Sequence, residues 1–167
     1  MCRYRLLLLV VALLLPIQLI AAEEATVAGA MIVKGKTIKL THVYAIAIRT
    51  DSPNEKAYRV IFSDAAISDK DLALFPDVLI KAINDGTLHA MRAGLDDHGA
   101  VDSVEIYMPS ETTWIKEGNK TELKTFNEKT IAGRVHLDKY NDGSGTYAYD
   151  LKFSAPIKQE ADLTAEP

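Results

Sequence analysis

The chain has 167 residues, 48% apolar, 25% charged and 7% aromatic, with 9 Gly, 6 Pro and one Cys; that profile excludes a collagen, a disordered polyelectrolyte and a disulfide-stapled mini-protein. Its formal charge is −4, and residues 1–22 hold two of the 19 basic residues and none of the 23 acidic ones, so the remainder carries −6. Without a basic cluster interleaved with aromatics, that balance argues against a nucleic-acid partner.

Leu6 to Ile20 reads LLLLVVALLLPIQLI, with Arg3 and Arg5 before it and Ala21-Ala22 after it. A cationic head, an apolar stretch and small residues are the parts of a secretory signal, and they predict cleavage after Ala22. The run is 15 residues long and interrupted by Pro16 and Gln18, short of the ~20 that a spanning helix needs. A retained anchor is therefore the lesser reading, and no stable membrane span is expected after cleavage. Cys2 precedes the apolar stretch and leaves with the signal, so no disulfide, thiolate ligand or cysteine nucleophile is expected. The predicted organisation is a signal peptide over 1–22, one β-rich domain over 23–157 and a disordered polar tail over 158–167.

Most of the domain alternates with the period of half-buried strands. Val27, Gly29, Met31 and Val33 share a face, and Lys34-Gly35 makes a tight turn. A long second strand is expected to place Ile38, Leu40, His42, Tyr44, Ile46 and Ile48 on one face. After the turn-forming loop Thr50–Lys56, a third strand carries Tyr58, Val60 and Phe62. The period then changes: Ser68 and Asp71 resemble a capping box, and Leu72, Phe75, Leu79 and Ile83 form a helical stripe. Pro76 interrupts it, so a kinked helix or two short helices are expected between strands three and four. His89, Met91, Ala93 and Leu95 alternate next, then Asp96–Gly99 turns and Val104, Ile106 and Met108 continue. Residues 109–129 lack a clean period and are read as an irregular hairpin, Trp114-Ile115 against Leu123–Phe126 across Gly118-Asn119. Two final strands follow, with Ile131, Gly133, Val135 and Leu137 facing Tyr147, Tyr149, Leu151 and Phe153. A register with Tyr149 opposite Val135, Tyr147 opposite Leu137 and Arg134 opposite Asp150 gives both apolar sets one core. The fold class is mainly β with one helix, an antiparallel β-sandwich or open barrel of about 7–8 strands.

Chemistry-bearing residues are sparse. His42, His89, His98 and His136 show no metal-ligand spacing. His42 falls on the apolar face and is read as a core histidine, with a ligand-facing imidazole as the alternative. Arg134 and His136 share an outer face and are read as a solvated pair, with a small anion site as the alternative. Trp114 is read as a plug tying residues 109–129 to the core, with a binding anchor as the alternative. These four are the candidate ligand-binding residues. No catalytic constellation is found: no Gly-x-Ser-x-Gly elbow, no phosphate loop, and the Asp138–Gly145 stretch misses the oxygen spacing of a calcium loop. No metal and no cofactor are expected. Asn119-Lys120-Thr121 matches an N-glycosylation sequon.

Gly35-Lys36-Thr37 runs into Leu40-Thr41-His42-Val43-Tyr44-Ala45, and Val60-Ile61-Phe62-Ser63-Asp64 leads into the helix. Gly133-Arg134-Val135 and Phe153-Ser154-Ala155-Pro156 come near the end. Together these segments resemble those of small exported bacterial proteins of unknown function. The resemblance spans most of the domain and implies a periplasmic or secreted location, but supplies no activity and no site residue. The expected function is a non-catalytic binding or interaction module for a protein or small-molecule ligand. The alternative is a small envelope hydrolase or isomerase with a pocket near His42.

Overall fold

The computed structural model describes residues 24–49 and 56–160. The expected signal peptide, the loop that begins at Thr50 and the end of the expected tail lie outside the described residues. Strand β1 (Thr26–Val33) turns at Lys34-Gly35, both with positive φ (51° and 81°), directly into β2 (Lys36–Lys39). Two consecutive left-handed residues match the twist of a two-residue hairpin, and Gly35 supplies one of them without strain.

The expected long second strand is two strands. It breaks at Leu40-Thr41, and β3 (His42–Arg49) runs on in another part of the sheet. Leu40 stays in the main core, but Val43 and Ala45 follow it there while Tyr44, Ile46 and Ile48 turn to the opposite face. Because this stretch is apolar on both faces, alternation alone does not say which set points inward. β4 (Lys56–Ser63) pairs antiparallel with β3 and sends Tyr58, Val60 and Phe62 into the main core.

After β4 come two short helices, α1 (Asp69–Ala73) and α2 (Ile80–Asn84), joined by a 3-10 turn over Asp77–Leu79. Ser68 caps α1: its Oγ accepts from the Asp71 N–H at 3.2 Å and donates to the Asp71 carboxylate at 2.7 Å. Pro76 separates the helices, since it has no N–H to continue α1. Leu72, Phe75 and Ile83 are buried with Ile46, Ile61 and Tyr107 in a second core on the outer face of the sheet, and Leu79 is half-buried beside them. Phe75 meets Tyr107 edge to face, ring centroids 5.1 Å apart.

The remaining strands are β5 (Ala90–Leu95), β6 (Val101–Met108), β7 (Glu111–Ile115), β8 (Lys120–Phe126), β9 (Thr130–Asn141) and β10 (Thr146–Gln159). The sheet runs β2-β1-β10-β3-β4-β5-β6-β7, curled into a half-barrel, and β9 and β8 branch from β10. The molecule is mainly β: eight strands form the curled sheet, and the branching β8 and β9 bring the total among the described residues to ten. All neighbours are antiparallel except β10 and β3, where Ile157–Gln159 pair in parallel with Ala45–Ala47. Inside the curl, Met31, Leu40, Phe62, Ile106, Tyr147 and Leu151 anchor a core drawn from every strand except β8, whose Leu123 and Phe126 pack against its rim.

Three further expectations are corrected. Residues 109–129 hold two strands, but not a hairpin: β7 pairs with β6 and β8 with β9. The β9–β10 register is displaced by two residues from the expected one, with Leu137 opposite Tyr149, Val135 opposite Leu151 and His136 opposite Asp150. Because that slip is even, both apolar sets keep their face, and a bulge between Tyr147 and Tyr149 shifts the register by one further residue next to the turn, where Tyr147 is opposite Tyr140. Lys158 and Gln159, expected in a frayed tail, continue β10 because β3 supplies a partner.

Candidate functional site

His42 begins β3, half-buried rather than enclosed in the core, opposite Ser63. Its Nδ1 lies 3.0 Å from the Thr41 hydroxyl. Trp114 is no plug: it is 57% exposed, on the outer face of β7 opposite Glu105, with the Lys116 ammonium 5.9 Å from its ring centroid. β7 is four positions from β3 in the sheet, so these two candidates form no common site.

Arg134 and His136 do come together, on the outer face of β9. Arg134 is not free in solvent: its Nε and Nη2 donate to the two Asp150 carboxylate oxygens at 2.7 and 2.9 Å. That fork holds the Asp150 carboxyl below its ordinary range. His136 is buried, only 8% exposed, which corrects its reading as solvated. Its Nε2 lies 3.3 Å from Glu122 and its Nδ1 3.9 Å from Asp138, distances that suit ion pairs on protonation, yet neither nitrogen makes a hydrogen bond.

His89 sits in the tightest histidine contact of the described residues. Its Nδ1 is 2.6 Å from Asp64 Oδ2 and its backbone N–H donates to Asp64 Oδ1 at 2.8 Å. Asp64 follows β4 and His89 precedes β5, so the pair clamps two strand ends, 25 residues apart in sequence. No local spacing could have revealed it. Arg92, Glu105 and Tyr107 form a second network on the outer face. Both Glu105 oxygens accept from Arg92 Nη2 at 2.6 and 2.7 Å, and the Tyr107 hydroxyl donates to Glu105. Burial first, then this carboxylate, pushes the Tyr107 pKa up.

The turn that invited a calcium reading closes on itself: Asp142 Oδ1 accepts from the Ser144 N–H and Oγ at 2.8 Å and from the Gly145 N–H at 3.0 Å. Asn119 of the sequon is likewise engaged. Its amide donates to the Ile115 carbonyl at 2.8 Å, and its oxygen accepts from the Tyr149 hydroxyl.

Among the clefts on the described surface are four of about 920, 360, 780 and 340 Å³. Arg134 and Asp150 line two of them, Arg59 and Arg92 line the second, and His42 and Trp114 line none of the four. No helix of the described residues is long and apolar enough to cross a membrane. No protein-family model, curated protein or solved structure significantly matches the chain.

Proposed function

We propose that this is an exported, non-catalytic binding module of the bacterial periplasm or cell exterior, and that it takes its partner by strand addition to β7. The location rests on the cationic, apolar and small-residue pattern of residues 1–22 and on the resemblance to exported proteins. In this reading the two halves of the sheet, joined through β10, work as a sandwich with open edges. The observation that carries the binding mode is a difference among those edges. A free strand edge invites pairing with another chain, and natural sheets discourage it with charged side chains, lysine above all. β2 carries Lys36 and Lys39, and β8 carries Lys120 and Lys124. β7 reads Glu-Thr-Thr-Trp-Ile, carries no lysine, pairs only with β6 among the described residues, and displays Trp114. Strand addition gives affinity through the backbone, and an exposed indole gives a neighbouring side chain something to pack on.

Site-specific photocrosslinking in intact cells tests this. A benzophenone side chain at Thr112 should trap a partner in the envelope fraction, whereas the same group at Thr37 on β2 or Thr121 on β8 should not. Equal yields at the three edges, or none at Thr112, would defeat the reading. The alternative of a hydrolase or isomerase has the carboxylate-oriented imidazole of His89 on its side. It lacks a hydroxyl or thiol in contact with that ring among the described residues.

A further inference from the structure

On the outer face of the half-barrel, Arg59 of β4 is opposite Gly94 of β5, and Ile61 is opposite Arg92. The two arginines are therefore diagonal neighbours on one face, a separation that long side chains readily span. Both line a single cleft of about 360 Å³ together with Gly94 and Ser103, which are themselves opposite each other. Gly94 makes the trough: a Cβ there would lie 3.3 Å from the Ser103 hydroxyl. The glycine has no positive φ to account for it, so its use here is space.

The guanidiniums are only partly satisfied. Arg92 reaches Glu105 through Nη2 alone, and no hydrogen bond among the described residues uses its Nε or Nη1. Arg59 Nη1 stands 3.7 Å from the Glu160 carboxylate, an ion pair without a fork.

We propose that this cleft binds a small carboxylate, held between Arg59 and Arg92 with the Ser103 hydroxyl as a further donor. A planar carboxylate matches the guanidinium fork. The other charges facing the cleft narrow the class. Glu105 is buried and already bonded to Arg92 and Tyr107, and Asp96 accepts the His98 and Ala100 N–H groups. Asp97 and Asp102 also line it, with Lys56. These carboxylates repel a phosphate dianion more than a monoanion. The proposal is independent of strand addition at β7.

The test is nuclear magnetic resonance of the 15N-labelled full-length protein, following the arginine Nε–H signals during titration with sodium acetate against sodium chloride of equal ionic strength. Acetate should shift the Arg59 and Arg92 signals saturably. Arg59→Gln should weaken binding tenfold or more. Gly94→Ala, which fills the trough but keeps both arginines, should do the same, with melting temperature recorded to confirm that each variant folds. Shifts that do not saturate, unchanged affinity in both variants, or tighter binding of inorganic phosphate than of acetate would overturn the proposal.

Discussion

Lys34 Nζ lies 2.6 Å from Glu111 Oε2, joining the β1–β2 turn to β7 across 77 residues of sequence. The other Glu111 oxygen accepts from the Tyr147 hydroxyl at 2.6 Å, and Thr113 donates to that same hydroxyl at 3.1 Å. Among the described residues β7 pairs with β6 and with no other strand, and these side-chain bonds link its far side to the β1–β2 turn and to β10. The Lys34 hydrogen bond first, then that of Tyr147, holds the Glu111 carboxyl below its ordinary value of 4.5.

A depressed carboxyl binds its proton more readily in the unfolded chain than in the folded one. Its contribution is therefore present above pH 4.5 and lost as pH falls through the folded value. Melting temperature should fall across that window in the native protein and fall less steeply in Glu111→Gln. Asp150, depressed by Arg134, titrates in the same direction, so the slope shrinks without vanishing. An identical pH profile in the variant would refute the linkage.

Two glycines are held at backbone contact. A Cβ on Gly29 would lie 2.0 Å from the Asp150 carbonyl oxygen, and one on Gly133 2.4 Å from that of Glu122. Neither neighbour is a flexible side-chain end, so Gly29→Ala and Gly133→Ala should each cost more than about 4 kcal/mol or prevent folding. Gly143 has positive φ but open space around it, and Gly143→Ala should cost only about 1–2 kcal/mol. Urea denaturation of the three variants checks the order.

His136 is enclosed with both ring nitrogens lacking a hydrogen bond. A buried polar group without a partner costs about 1–3 kcal/mol. At neutral pH, His136→Met should leave stability unchanged or raise it, as read by the urea midpoint. A loss above about 2 kcal/mol would mean the imidazole is held by its carboxylate neighbours instead.

Ile83 and Leu72 bury the helices against Ile61 and Tyr107. Truncating either to Ala should cost about 2–5 kcal/mol. Leu79, only half-buried, should tolerate Ala with a smaller loss. Equal losses at all three positions would show that the helices do not dock as described.

Trp114 is the single tryptophan of the chain and stands in solvent. Its emission should change little on unfolding, and acrylamide should quench it in the native protein. Trp114→Lys should leave the melting temperature unchanged while abolishing the Thr112 crosslink.

The turns and strand faces were the legible part. Lys34-Gly35, Ser68 with Asp71, and the Val135 and Leu151 faces obey rules that act within a few residues. Legibility failed where both faces are buried. The run from Val43 to Ile48 serves two cores at once: Tyr44, Ile46 and Ile48 share a face as the alternation predicts, but the break at Leu40-Thr41 turns that face, with His42 at its start, to the second core. Residues 109–129 are obscure for a different reason: β7 is short, β8 buries none of its residues fully, and each pairs with a strand outside the segment rather than with the other. His89 needed Asp64 from a separate strand end, and Arg92 needed its diagonal neighbour. Such pairings exist only once the sheet has its order.

β10 is the keystone in time as well as in space. It borders β1 and β9 along most of its length and then reaches β3, yet it comes after every other strand in the chain. Until it is delivered, three groups of strands, β1–β2, β3–β7 and β8–β9, have no pairing with one another, and Met31 and Val135 lack the Tyr149 and Leu151 surfaces that cover them. Closure rests on contacts between strands far apart in sequence, β10 with β1 and with β3, and such non-local pairing is expected to slow folding. A chain that cannot close early stays extended for longer, which is what the proposed export would require of it.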